Sequence, residues 1–135
     1  MSRTNLARYR MEKAKEMLIE AKDNFDQKHY GLSVNRSYYA MFTSARALLA
    51  IKELDASKHS GVITLFNQYI IKTGYFPKEP SKFLLKAKNI REEADYGDFV
   101  DISEKDAQIQ IERAKKFVEE AEKAMQMIIK ESEHI

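Results

Sequence analysis

Hydrophobic positions along this chain recur at helical spacing in five runs. The run from Ser33 to Leu49 differs from the rest. It reads Ser-Val-Asn-Arg-Ser-Tyr-Tyr-Ala-Met-Phe-Thr-Ser-Ala-Arg-Ala-Leu-Leu. At about 100° per residue, Tyr38, Tyr39, Met41, Phe42, Ala45, Leu48 and Leu49 share one broad side of a helix. The other side carries Ser33, Ser37, Ala40, Thr43, Ser44 and Ala47, with Arg36 among them, where a surface helix would show Lys and Glu. Such a helix can be approached closely from both directions. It is expected at the centre of a bundle, its small face receiving a neighbouring helix or lining a cleft.

The remaining runs surround it. A first helix is predicted from Asn5 to Gln27, with Leu6, Ala14, Met17, Leu18, Ala21 and Phe25 as its apolar stripe. Lys28-His29-Tyr30-Gly31 is a short connection ending in glycine, which suits antiparallel neighbours. The central helix continues to Leu54, and Asp55 to Ser60 reads as a loop. A third helix is predicted from Ser60, as N-cap, to Thr73, with Gly74 as its stop. Tyr75-Phe76-Pro77-Lys78-Glu79-Pro80 is too short a segment to divide two domains. A fourth helix from Ser81 to Ala94 presents Phe83, Leu84, Ala87, Ile90 and Ala94, and a loop follows over Asp95 to Ile102. Ser103, with Asp106 three residues on, is a variant of the capping box and opens a last helix from Glu104 to Ser132. Its stripe is Ala107, Ile111, Ala114, Phe117, Val118, Ala121, Met125, Ile128 and Ile129. The expectation is all-α: one domain over 1–135, an antiparallel up-and-down bundle of four or five helices.

Composition agrees and narrows the function. The 135 residues can bury a core without staples, and only 4 Gly and 2 Pro leave little turn chemistry for a sheet protein. The 23 basic and 21 acidic residues are dispersed, so there is no basic block of the kind a dedicated nucleic-acid binder carries. Without cysteine there is no disulfide and no thiolate metal site, and His29, His59 and His134 are too scattered for a zinc motif. No metal and no cofactor are expected. The N-terminus lacks the apolar core of a signal peptide and no run approaches a membrane span, so a cytoplasmic protein is expected. Phosphate-cradling glycine loops, Gly-x-Ser-x-Gly and His-Glu-x-x-His are all absent.

Two arginines are placed oddly. Arg91 falls between Leu84 and Ala87 in angle, inside the apolar arc of the fourth helix. A guanidinium drawn toward a core needs a partner, because burying it alone costs several kcal/mol. Asp95, one turn on, can pair with it and fasten the helix. The other reading is a planar fork held at the mouth of a cleft to meet a phosphate. Arg36 lies on the small face of the central helix, where a neighbouring carboxylate or carbonyls could satisfy it. Tyr38, Tyr39 and Phe42 at helical spacing read as core. His59 reads as a capping or surface residue, with proton transfer worth considering only if the fold brings it beside Arg36 or Arg91.

The segment Asn35-Arg36-Ser37-Tyr38-Tyr39-Ala40-Met41-Phe42, followed by Ala45-Arg46-Ala47-Leu48-Leu49, resembles the first motif of the HEPN-domain family. Lys58-His59-Ser60-Gly61-Val62 and Arg91-Glu92-Glu93-Ala94-Asp95-Tyr96 resemble the later motifs, in order and at similar separations, and Ala114 and Phe117 also fit. The resemblance implies a helical bundle that forms homodimers. It also implies a minimal nucleotidyltransferase partner in a toxin–antitoxin or defence system. Many members are metal-independent ribonucleases using an Arg followed after four to six residues by His, the arginine neutralising the scissile phosphate and the histidine moving a proton.

This chain departs from that spacing. After Arg91 the corresponding positions hold Tyr96, Gly97 and Asp98, and after Arg36 they hold Met41, Phe42 and Thr43. A tyrosine near its ordinary pKa of about 10 is a poor general base at neutral pH. The expected function is therefore a nucleotide- or RNA-binding module, with Arg36, Arg91, Asp95, Tyr96 and His59 at the phosphate. A divergent ribonuclease using His59 or Tyr96, and a structural helical interaction protein, are the alternatives.

Overall fold

The second helix of the chain is walled in on nearly every side, and the other helices are arranged by what it offers them. The computed structural model describes residues 2–96 and 101–132, with side chains in the fourth helix described as far as Glu92. Five α-helices and one π-helical turn follow one another in this all-α bundle: α1 (Arg3–Asp26), α2 (Tyr30–Ile51), α3 (His59–Phe66), the π turn (Asn67–Ile71), α4 (Lys78–Tyr96) and α5 (Glu104–Ser132). No strand occurs among the described residues.

The small face of α2 receives α1. Ser33 Oγ donates to the carbonyl of Ala21 at 2.8 Å, Thr43 Oγ1 approaches Met17 Sδ at 3.5 Å, and Arg10 Nη1 reaches the carbonyl of Arg46 at 3.2 Å. As residue numbers rise on α2 they fall on α1, so the two helices are antiparallel. Ser33, Ser37, Ala40, Ser44 and Ala47 are completely buried in this seam. Side chains this small let the backbones approach, and the buried hydroxyls turn to nearby carbonyls, except that Ser37 Oγ has no hydrogen-bond partner among the described residues. Ser44 finds the Met41 carbonyl at 2.8 Å.

The apolar side of α2 meets α5, α4 and α3. Every residue of the predicted α5 stripe, from Ala107 to Ile129, is buried. Phe117 stands at its middle in an aromatic cluster, 5.6 Å from Phe66 and 4.7 Å from Phe76 between ring centroids. The cap at Ser103 forms as predicted, its Oγ accepting from Asp106 N at 3.1 Å.

The ends of the other helices correct the sequence reading. Gly31 does not stop α1; it lies in the first turn of α2. The left-handed residue is Lys28, at φ 65°, with His29 N bonded to Asn24 O and Lys28 N to Phe25 O, the paired bonds of a Schellman end. Glu53, at φ 58°, ends α2 in the same way, at Ile51 where Leu54 was expected. Among the described residues a third such end uses a glycine, Gly74 at φ 86°. At Lys28 and Glu53 tertiary packing fixes where the chain turns, and a residue without glycine's freedom accepts the strain. Ser60 is not an N-cap: α3 begins at His59, Lys58 occupies the cap position without a side-chain bond, and the Ser60 carbonyl accepts from Thr64 Oγ1. The fourth helix starts at Lys78, not Ser81, because Pro80 falls within the first turn, where no backbone donor is needed.

Truncating Phe117 to Ala should cost about 3–5 kcal/mol, since a fully buried ring would be lost and Phe66 and Phe76 would lose their contact with it. Urea unfolding followed by circular dichroism would measure the loss.

Candidate functional site

Arg91 is buried, with 7% of its surface exposed, as its place in the apolar arc of α4 requires. Its guanidinium carbon lies 5.0 Å from the centre of the Tyr38 ring and 5.4 Å from that of Tyr39. Two adjacent tyrosines on one helix thus offer their rings to one cation. A desolvated guanidinium over an aromatic ring gains about 2 kcal/mol, part of what burying the charge costs. Asp95 and Tyr96 were expected to complete this cluster; their side chains lie outside the described residues.

Arg36 joins through Tyr39. Its guanidinium carbon is 5.8 Å from that ring, Nη1 is 3.4 Å from Glu20 Oε2 on α1, and Nε donates to Asn35 Oδ1 at 3.1 Å. A carboxylate of the neighbouring helix therefore meets Arg36, and the side chain remains partly exposed. Tyr39 accordingly has a guanidinium near its ring from α2 and another from α4.

His59 is neither a cap nor a plain surface residue. It is half-buried, with Nδ1 3.0 Å from the Tyr38 hydroxyl and its ring centroid 4.3 Å from that of Phe42 and 5.8 Å from that of Tyr39. The fold therefore places His59 and Arg91 against one tyrosine, His59 at its hydroxyl and Arg91 over its ring. Burial pushes the Tyr38 hydroxyl well above the ordinary tyrosine pKa, although Arg91 opposes this, so it stays protonated. Burial also lowers the His59 pKa, and the charges of Arg91, Lys88 and Arg46 lower it further against a small opposing effect of Glu92. The imidazole is therefore neutral at pH 7. In the tautomer where Tyr38 donates to Nδ1, the imidazole proton sits on Nε2.

Beside His59 opens a cleft of about 480 Å³, lined by Phe42, Arg46, Asp55, Ala56, Ser57, Lys58 and His59. Arg91 does not line it; the connection runs through Tyr38 and His59. Gly61 lets the loop wall sit close on α3, because a Cβ there would fall 2.9 Å from the Ala56 Cβ. Arg46 Nη2 holds both carboxylate oxygens of Asp55 at 3.2 Å. Arg10 Nη2 stands 3.9 Å from the same carboxylate. Burial alone would raise the Asp55 carboxyl, but the Ala56 N–H together with Arg46 and Arg10 holds it below its ordinary range. Arg10, Arg46, Asp55 and Lys88 escaped the sequence reading. One signal was available for Arg46: it is the single charged residue in the second half of α2.

Among the described residues no group of histidines and carboxylates could hold a metal ion. None of the described helices is long and apolar enough to cross a membrane.

The chain matches the HEPN domain over residues 7–125. It is 37% identical over 118 residues to a UPF0332 protein of Thermotoga maritima, covering 87% of this chain and 89% of the relative. It is 39% identical over 119 residues to a Methanocaldococcus jannaschii protein named "Putative toxin MJ0605", covering 88% of each. A second protein of that organism, named "Putative toxin MJ0142", is 32% identical over 113 residues, 84% of this chain and 77% of the relative. The chain belongs to the HEPN domain family, among its small members.

A histidine whose folded pKa is depressed has a definite effect on stability. Below the ordinary value of about 6.5 the unfolded chain takes up the proton more readily than the folded one, so stability should fall as pH drops through 6.5 toward the folded pKa. His59→Gln should flatten that slope in urea midpoints measured across the range. An unchanged slope would show that His59 does not titrate as described.

Proposed function

We propose that this protein is a HEPN toxin-like module that binds a nucleotide or RNA phosphate at the junction of α2, α3 and α4. The observation that carries the reading is the Arg91 guanidinium, buried over Tyr38 and Tyr39, with His59 hydrogen-bonded to Tyr38 at the edge of an open cleft. A forked cation beside a neutral imidazole suits an anion with flat rings attached: the guanidinium meets phosphate oxygens, His59 Nε2–H donates, and the exposed part of Tyr39 offers a stacking face. Arg36 adds a second cation at Tyr39. Asp95 and Tyr96, next on α4, belong to the proposed site, Asp95 orienting Arg91 and Tyr96 stacking or hydrogen-bonding. The name "Putative toxin" borne by two relatives supports a role in which a partner holds the module in check. A homodimer working beside a minimal nucleotidyltransferase fits that role. Ile19, Leu32 and Leu85, each more than half exposed, are side chains that a second chain would cover.

Arg91→Lys keeps a positive charge in nearly the same volume but loses the planar fork. The folded variant should bind AMP or short single-stranded RNA about tenfold more weakly than the wild type in a titration. Equal affinity would overturn the reading.

One observation favours a second reading, a divergent metal-independent ribonuclease. His59 is neutral at pH 7 and shares Tyr38 with Arg91, so proton transfer at a ribose 2′-hydroxyl could be served by a histidine from α3 in place of one following Arg91. Under this reading purified protein cleaves RNA in EDTA and His59→Ala does not. Intact RNA at high wild-type concentration would leave binding alone.

A further inference from the structure

The cleft beyond His59 carries more positive charge than its own construction requires. Asp55 is the one acidic residue among those lining it, while Arg46 and Lys58 line it and Arg10 braces it from behind. Arg46 and Arg10 both meet the Asp55 carboxylate, and Lys58 adds a further cation to the lining. Arg46 gives only Nη2 to Asp55; its Nε is buried and has no hydrogen-bond partner among the described residues. Burial first, and then the neighbouring charge of Arg46, lower the Arg10 pKa against an opposing effect of Asp55. The Phe42 and His59 rings, 4.3 Å apart between centroids and tilted 40° to each other, form part of its lining. Ser57 adds a hydroxyl.

We infer that this cleft is a second phosphate subsite, holding the nucleotide that adjoins the one bound at Arg91 and His59. The ligand class is then a single-stranded oligonucleotide and not a lone mononucleotide. The inference rests on the reading of Arg91 and His59 given above. A base can stack on the half-buried His59 ring, with its phosphate among Lys58, Arg46 and Ser57. The volume of about 480 Å³ suits one nucleotide. Asp55 acts in this arrangement as a stand-in anion: it holds Arg46 in place while the cleft is empty and competes with the phosphate for it.

The tether between Arg46 and Asp55 also fastens the loop before α3, so the test needs variants that separate charge from architecture. Lys58→Ala removes a cation on an exposed side chain. Asp55→Asn removes the competing charge while keeping an oxygen for the Ala56 N–H, which Asp55 Oδ1 accepts at 2.9 Å. Binding is measured by fluorescence anisotropy with a labelled short single-stranded RNA, and by calorimetry with AMP and with ATP. Lys58→Ala should weaken RNA binding about three- to tenfold, lower the slope of log K against log salt by about 0.7, and leave AMP affinity unchanged. Asp55→Asn should bind the RNA more tightly than the wild type, whereas loss of a purely structural tether would weaken it. Equal losses for RNA and AMP in Lys58→Ala, or no loss for RNA, would overturn the subsite while leaving Arg91 as the anchor. An ATP affinity equal to that for RNA and equally dependent on Lys58 would assign the cleft to a triphosphate tail and overturn the strand. If the wild type binds neither AMP nor RNA, the reading of the Arg91 site fails and the subsite fails with it.

Discussion

A guanidinium cannot be withdrawn from water unless something on the protein replaces its hydration, and Arg91 is withdrawn almost entirely. The faces of Tyr38 and Tyr39 supply part of that replacement. The requirement fixes the rotation of α4 about its axis, because turning it away would break the contact and expose Leu84 and Ala87. It also fixes α2, whose two tyrosines must look toward α4 while its small residues look toward α1. The bundle and the candidate site therefore share a single set of contacts.

The seam with α1 makes that orientation possible. Ser33, Ser37, Ala40, Ser44 and Ala47 leave little bulk on the α1 side, so the buried aromatic and aliphatic side chains from Tyr38 to Leu49 are left to pack against α3, α4 and α5. Where α3 begins, this crowding of rings takes in His59; burial keeps Tyr38 protonated against the pull of Arg91, and burial together with the neighbouring cations keeps the imidazole neutral. Both shifts have one cause, the loss of water at a junction where positive charge is already concentrated. Lys88 and Arg46 extend that concentration to either side of His59.

The departure from the family's arginine–histidine spacing acquires a physical meaning in this setting. The positions that follow Arg91 offer no histidine, yet an imidazole reaches the same tyrosine from the start of α3. A guanidinium and a neutral imidazole can be juxtaposed by a helix pair as well as by a single helix. The consequence is that His59 faces a cleft walled by the loop before α3, with Arg46, Lys58 and Asp55 as its charged lining.

Periodicity alone determined the all-α architecture, the central place of α2, the α5 stripe and the burial of Arg91, because each follows from where side chains fall around a helix. It also marked Ser103 and Gly74, whose residue types match the local geometry they adopt. It could not place the left-handed turns at Lys28 and Glu53, since neither residue type announces that conformation. His59 read as a capping or surface residue because nothing nearby in sequence occupies its ring; Tyr38, Tyr39 and Phe42 come from α2. The cluster of Arg10, Arg46 and Asp55 was hidden for the same reason, being assembled from α1, α2 and a loop. Helical faces are set by residues three and four apart, whereas the pairing of charges and rings depends on which helices pack together, and only the tertiary structure decides that.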